Sequence, residues 1–78
     1  MWVKSQDGKL YNLESAYGIH IEERGGGQFV VIAEYAPNDV RSFNLTLRVS
    51  QAAAQNVQDE IETALSEGRA LLNLKRDE

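Results

Sequence analysis

The sequence predicts an α+β fold, in which one C-terminal helix packs on a mostly antiparallel curled sheet or roll of five to six strands. Before residue 50 the apolar residues recur with period two, which is typical of strands. From Ser50 to Gly68 they recur at helical spacing. The length of 78 residues indicates a single domain covering residues 1–78.

The chain opens with a predicted β-hairpin. Residues 2–5 and 10–13 flank Asp7-Gly8, a dipeptide that suits a two-residue type I′ turn. Beyond a corner, residues 19–22 alternate apolar and polar side chains and form a third strand. Residues 25–27 are three glycines, which predict a flexible turn.

Residues 29–33 predict a central strand, because both of its faces are apolar. The helix can cover one face. A curled continuation of the sheet, a second copy of the chain or an unrelated partner could cover the other, and we favour the curled sheet. Pro37, Asn38 and Asp39 then predict a turn.

Residues 41–49 show the clearest alternation in the chain and predict one continuous strand. The apolar positions are expected in the core: Phe43, Leu45, Leu47 and Val49. The positions between them are expected in solvent: Ser42, Asn44, Thr46 and Arg48.

The predicted helix begins after Ser50, which can accept a backbone hydrogen bond, and ends at Gly68. It should span about 17 residues, or roughly 25 Å. One stripe is expected to face the core: Ala54, Val57, Ile61, Ala64 and Leu65. Residues 70–74 predict a last edge strand, after which residues 75–78 should fray.

The charge balance limits the partners that we expect. Eight basic and twelve acidic residues give a net charge of −4, which disfavours direct binding of nucleic acid. No apolar run is long enough to cross a membrane and no secretion signal is recognised, so we expect a cytoplasmic protein. Without cysteine, so small a core depends on packing or on a partner chain.

His20 is the only histidine, and it shares a strand face with Glu22. A metal site usually needs three or four ligands, and no sequence relation places Glu34 or Asp39 beside this pair. The triple glycine leads into a strand and so lacks the helix of a phosphate loop. No serine lies in a nucleophile-elbow context. We therefore predict that the chain is not an enzyme. We also predict no catalytic, cofactor-binding or metal site, and no cofactor.

Two other groups of residues could bind a partner. The aromatic residues could stack on nucleic-acid bases, but without a basic groove we expect them in the core: Trp2, Tyr11, Tyr17, Phe29, Tyr35 and Phe43. The acidic helix residues are expected to be solvated or to contact a basic partner: Asp59, Glu60, Glu62 and Glu67.

The chain resembles a group of small uncharacterised bacterial and phage-borne proteins over most of its length. The resemblance depends on a tryptophan in the first strand, the Asp7-Gly8 turn, Tyr11-Asn12-Leu13 and the helix. It implies a compact roll closed by one helix, similar to a shortened pleckstrin-homology domain. It implies no functional residues.

Two functions remain open from the sequence. The first is a protein of unknown biological role that acts as a non-enzymatic protein-interaction module, through a sheet edge or the outer face of the helix, with another protein or a second copy as partner. The second is a small acidic inhibitor that docks on the basic, nucleic-acid-binding surface of another protein. Added salt should weaken partner binding by the acidic inhibitor far more than partner binding by the interaction module.

Overall fold

The computed structural model describes residues 1–36 and 41–74, and these residues form two three-stranded sheets and one α-helix. The elements, in chain order, are β1 (Trp2–Lys4), β2 (Leu10–Asn12), β3 (Gly18–Glu23), β4 (Phe29–Ala36), β5 (Arg41–Asn44), α1 (Gln51–Ser66) and β6 (Leu71–Asn73). The strand orders are β2-β1-β6 and β3-β4-β5, and in the described part of the chain neither sheet is closed. The predicted α+β class with one C-terminal helix is confirmed.

The first sheet joins the two ends of the chain. β1 pairs antiparallel with β2 and parallel with β6, which confirms the predicted last edge strand. The hairpin turn is not type I′, because only Gly8, with φ +88°, has a positive φ there. The turn is closed instead by the Gly8 N–H, which donates to the Ser5 carbonyl at 3.0 Å.

The second sheet is an antiparallel meander. The triple glycine connects β3 to β4, and each of its residues has a positive φ, that of Gly26 being +61°. The predicted turn at Pro37, Asn38 and Asp39 lies outside the described residues, as do residues 75–78.

The predicted continuous strand over residues 41–49 is wrong in its second half, because β5 ends at Asn44. β4 advances three residues from Phe29 to Ile32, whereas its partner segment advances five from Asn44 to Val49, so two residues bulge out.

The bulge changes which side chains of this segment are buried. Leu45 is buried as expected, but so is Thr46, whose hydroxyl accepts a hydrogen bond from the Val31 N–H at 3.1 Å. Phe43 is 40% exposed and Leu47 is 37% exposed, contrary to the prediction. Thr46 is thus buried although it is polar, because its hydroxyl is the hydrogen-bond acceptor for a buried backbone N–H.

Both predicted ends of the helix are confirmed. The Ser50 hydroxyl accepts from the Ala53 N–H at 3.1 Å. At the other end Gly68 has φ +69°, and Arg69 N–H donates to the Ala64 carbonyl at 3.0 Å, as in a Schellman motif.

The helix packs on β3 and β4. Ala54, Ile61 and Ala64 are buried there with Val31 and Ala33. Phe43 instead contacts Tyr11 and Tyr35, with ring centroids 5.0 and 5.6 Å apart.

The second face of β4 is covered within one chain. Val30 and Ile32, which point away from the helix-side core, are each only 2% exposed. Their cross-strand neighbours are Glu22 and His20, and the bulged segment borders Val30. The prediction of a strand covered on both faces is confirmed, and its cover needs no second molecule.

Candidate functional site

Among the described residues, β3 is the longest strand that lies at the edge of a sheet and has one side without a partner strand. The backbone of Val31 bonds towards Leu45 and Thr46, so its neighbours Val30 and Ile32 bond in the other direction, towards Glu22 and His20. Because bonded pairs alternate along an antiparallel ladder, the backbone groups of the intervening residues point away from β4. These residues are Ile19, Ile21 and Glu23.

An apolar groove runs beside this edge, between β3 and the helix. Its volume is about 280 Å³. It is lined by Leu13, Ala16, Gly18, Ile19, Gln58, Ile61, Glu62 and Leu65. An extended segment added to β3 could therefore place a side chain in a pocket that already exists.

Leu65 shows that the groove is incompletely filled. The sequence predicts Leu65 in the core-facing stripe, but the structure leaves it 50% exposed, on the wall of the groove. Gln58, which is not part of that stripe, lines the same groove. The groove was missed from the sequence because it arises where the 3₁₀ helix Leu13–Ser15 and β3 leave space under the helix.

The groove and the β3 edge carry unpaired negative charge. Glu62 lies at the groove and Glu23 lies at the far end of β3, and neither forms an ion pair with a described residue. Arg24, the nearest cation in sequence, already contacts Glu22 at 2.8 Å. The helix Gln51–Ser66 contains acidic residues and no lysine or arginine.

His20 lies on the outer face of the second sheet between two carboxylates. Its Nε2 is 3.3 Å from Oε2 of Glu22, and its Nδ1 is 2.8 Å from Oε1 of Glu34. The sequence places Glu22 on the same strand face as His20 but gives no relation between His20 and Glu34, whose contact arises from the pairing of β3 with β4. A neutral imidazole can donate to only one of these carboxylates, whereas the protonated ring donates to both.

This arrangement does not make the three side chains ligands of one ion. The two carboxylates face different ring nitrogens, so a metal at either nitrogen would lie beside only one of them. In residues 1–36 and 41–74 no group of three or more His, Asp or Glu side chains is suited to hold a metal. Asp39, also considered from the sequence, lies outside these ranges.

The serines have structural contacts. Ser5 is buried, donates from Oγ to Asp7 and accepts from the Lys9 N–H at 3.1 Å. The hydrogen bond from Ser5 lowers the pKa of the Asp7 carboxyl below its ordinary value. No hydrogen bond between serine and His20 occurs among the described residues.

The aromatic residues do not all lie in the core as predicted. Tyr11, Tyr35 and Phe43 form a cluster that joins the two sheets, and burial is the main cause that raises the pKa of Tyr35. Trp2 is 49% exposed and lies beside exposed Leu71 on the open face of the first sheet. Neither Trp2 nor Leu71 lines the groove beside β3.

No helix in the described ranges is both long and apolar enough to span a membrane.

Comparison with protein-family models, with curated proteins and with solved structures finds no match to this chain. The pleckstrin-homology-like roll therefore stays a prediction.

Proposed function

We propose that this chain is a non-enzymatic protein-interaction module that binds an extended segment of another protein along β3. The observation that carries the proposal is that the outward backbone groups of Ile19, Ile21 and Glu23 form an unpaired edge in the described part of the chain, and that Ile19, near the start of this edge, lines the apolar groove. Main-chain hydrogen bonds would supply affinity, and the groove would select a side chain. An unpaired edge strand otherwise promotes aggregation, so a natural occupant also protects the chain.

The first experiment selects binders from a library of random twelve-residue peptides and maps their site by amide hydrogen exchange. Bound peptides should slow exchange at Ile19, Ile21 and Glu23. Peptides that slow exchange only elsewhere, or the absence of any peptide that protects these amides, would contradict the proposal. Light scattering on the free chain is the companion measurement, because a dimer in which these amides are already protected would also contradict it.

A matched pair of variants tests the main-chain role. Glu23→Pro removes an outward N–H without removing a bond to β4, because proline is tolerated at such edge positions. Glu23→Gln removes the same charge and keeps the N–H. We expect Glu23→Pro to lower the affinity for a selected peptide about tenfold or more, because it removes one hydrogen bond and adds a steric block. Glu23→Gln should lower the affinity less. Equal affinities for the two variants would argue against strand addition.

A second candidate function is the acidic inhibitor, and the charge of the helix favours it. Asp59, Glu60 and Glu62 are exposed, and the helix holds no basic residue to neutralise them. Poly-L-lysine, as a model of a basic surface, should then bind tightly at low salt and lose affinity steeply when salt is added. Binding that Asp59→Asn and Glu60→Gln together leave unchanged would exclude this role for the helix.

A further inference from the structure

The groove combines an apolar floor with a carboxylate at its rim. The side chains of Ile19, Ile61 and Leu65 supply apolar surface, and Glu62 supplies the charge. A purely aliphatic guest would cover the floor and leave Glu62 unpaired. A lysine or arginine has both parts that the groove requires, because its methylene stem can lie on apolar surface while its charged end reaches an acid.

The alternation of side chains along a strand sets the spacing of a second contact. On a segment added to β3, the side chains beside Ile19, Ile21 and Glu23 lie on one face of the enlarged sheet. The positions beside Ile19 and Glu23 are four residues apart, about 13 Å at 3.3 Å per residue. The far position therefore faces Glu23, a second carboxylate that forms no ion pair with a described residue.

We propose that the segment bound by β3 is basic, with a lysine or arginine whose stem fills the groove and whose charged end meets Glu62, and a second basic residue four positions away at Glu23. This inference rests on the proposed function and names its partner class. The net charge of −4 also favours encounter with a cationic segment.

A second copy of the chain fits this site poorly. If two copies paired through β3 about Ile21, Glu23 of the second copy would lie opposite Ile19, beside the groove that Glu62 lines. Two carboxylates would then approach each other without a cation, which costs free energy. Nucleic acid, as a polyanion, would meet the same repulsion.

The peptide selection described above tests this inference separately from the function. Peptides that protect Ile19, Ile21 and Glu23 should be enriched in lysine or arginine at two positions four residues apart. If the peptides protect these amides but are apolar or acidic, the inference is wrong and the strand-addition function stands. If no peptide protects them, the function itself is contradicted and the inference with it.

Two charge-neutralising variants locate the basic group. Glu62→Gln removes the carboxylate at the groove, and Glu60→Gln removes an exposed carboxylate of the same helix that does not line it. Glu62→Gln should lower the affinity for a selected basic peptide about two- to fivefold, the range of a solvent-exposed ion pair, and Glu60→Gln should lower it by clearly less. Replacing the groove lysine of the peptide by methionine should remove this difference. Equal effects of the two variants would show that the charged end does not meet Glu62.

Discussion

Glu34 on β4 contacts His20 on β3, with Nδ1 of His20 and Oε1 of Glu34 2.8 Å apart. Gly18 is the register partner of Glu34, so the contact with His20 is diagonal across the two strands. It lies on the strand whose other edge is the candidate binding site. The contact between His20 and Glu34 therefore helps to fix the register of β3 on β4, in which the backbone groups of Ile19 and Ile21 point away from β4.

A double-mutant cycle of His20→Gln and Glu34→Gln should give a coupling free energy of about 0.2–1 kcal/mol, because both side chains are partly exposed and solvent screens the interaction. Urea unfolding of the four proteins measures it. A coupling free energy of zero would mean that this ion pair contributes nothing to the stability of β3.

Gly26→Ala should lower the free energy of unfolding by about 1–2 kcal/mol, because residue 26 has φ +61° and a Cβ disfavours the left-handed region. Gly18→Ala is the control, since Gly18 lies outside that region and has open space around its Cα. It should be neutral or slightly stabilising. Thermal unfolding compares the two variants, and an equal loss in both would contradict the assigned turn geometry.

Thr46→Val should destabilise the fold by about 1–3 kcal/mol, because it preserves shape but leaves the buried Val31 N–H without its acceptor. Thr63→Val, on the exposed surface of the helix, makes the same chemical change without such a partner and should have a small effect. Urea unfolding measures both. A stable Thr46→Val protein would show that the bulge does not depend on this hydroxyl.

Asp7 should make stability fall at acid pH. Its pKa in the folded protein is lowered from 3.8, chiefly by the hydrogen bond from Ser5. A lowered folded pKa gives stability that is present above about pH 3.8 and is lost as the pH falls through the folded value.

Ser5→Ala should therefore raise the Asp7 pKa towards its ordinary value, as NMR titration of the side-chain carboxyl would show. Asp7→Asn should remove this part of the acid sensitivity. An Asp7 pKa that is unchanged in Ser5→Ala would exclude the hydrogen bond as the main cause.

The sequence predicts best those features that depend on neighbouring residues. The helix has its capping residue Ser50 and its terminating Gly68 within or beside its own segment, and both ends are confirmed. The fold class follows from the change of apolar period near residue 50, which needs no knowledge of tertiary contacts.

The sequence predicts less well those features of the structure that depend on contacts between residues far apart in the chain. Thr46 is buried because Val31 needs an acceptor, and alternation alone assigns Thr46 to solvent. Glu34 reaches His20 only through the register of two strands. The groove requires the helix, the 3₁₀ helix and β3 to be placed together, so no local pattern indicates it.

Amide hydrogen exchange of the free protein, residue by residue along β3, tests the central claim most directly. The amides of Ile19, Ile21 and Glu23 should exchange much faster than those of His20 and Glu22, which bond to β4, and only the first three should slow when a peptide binds. Uniform protection along β3 in the free monomer would mean that the edge is already satisfied, and would contradict its use as a binding site.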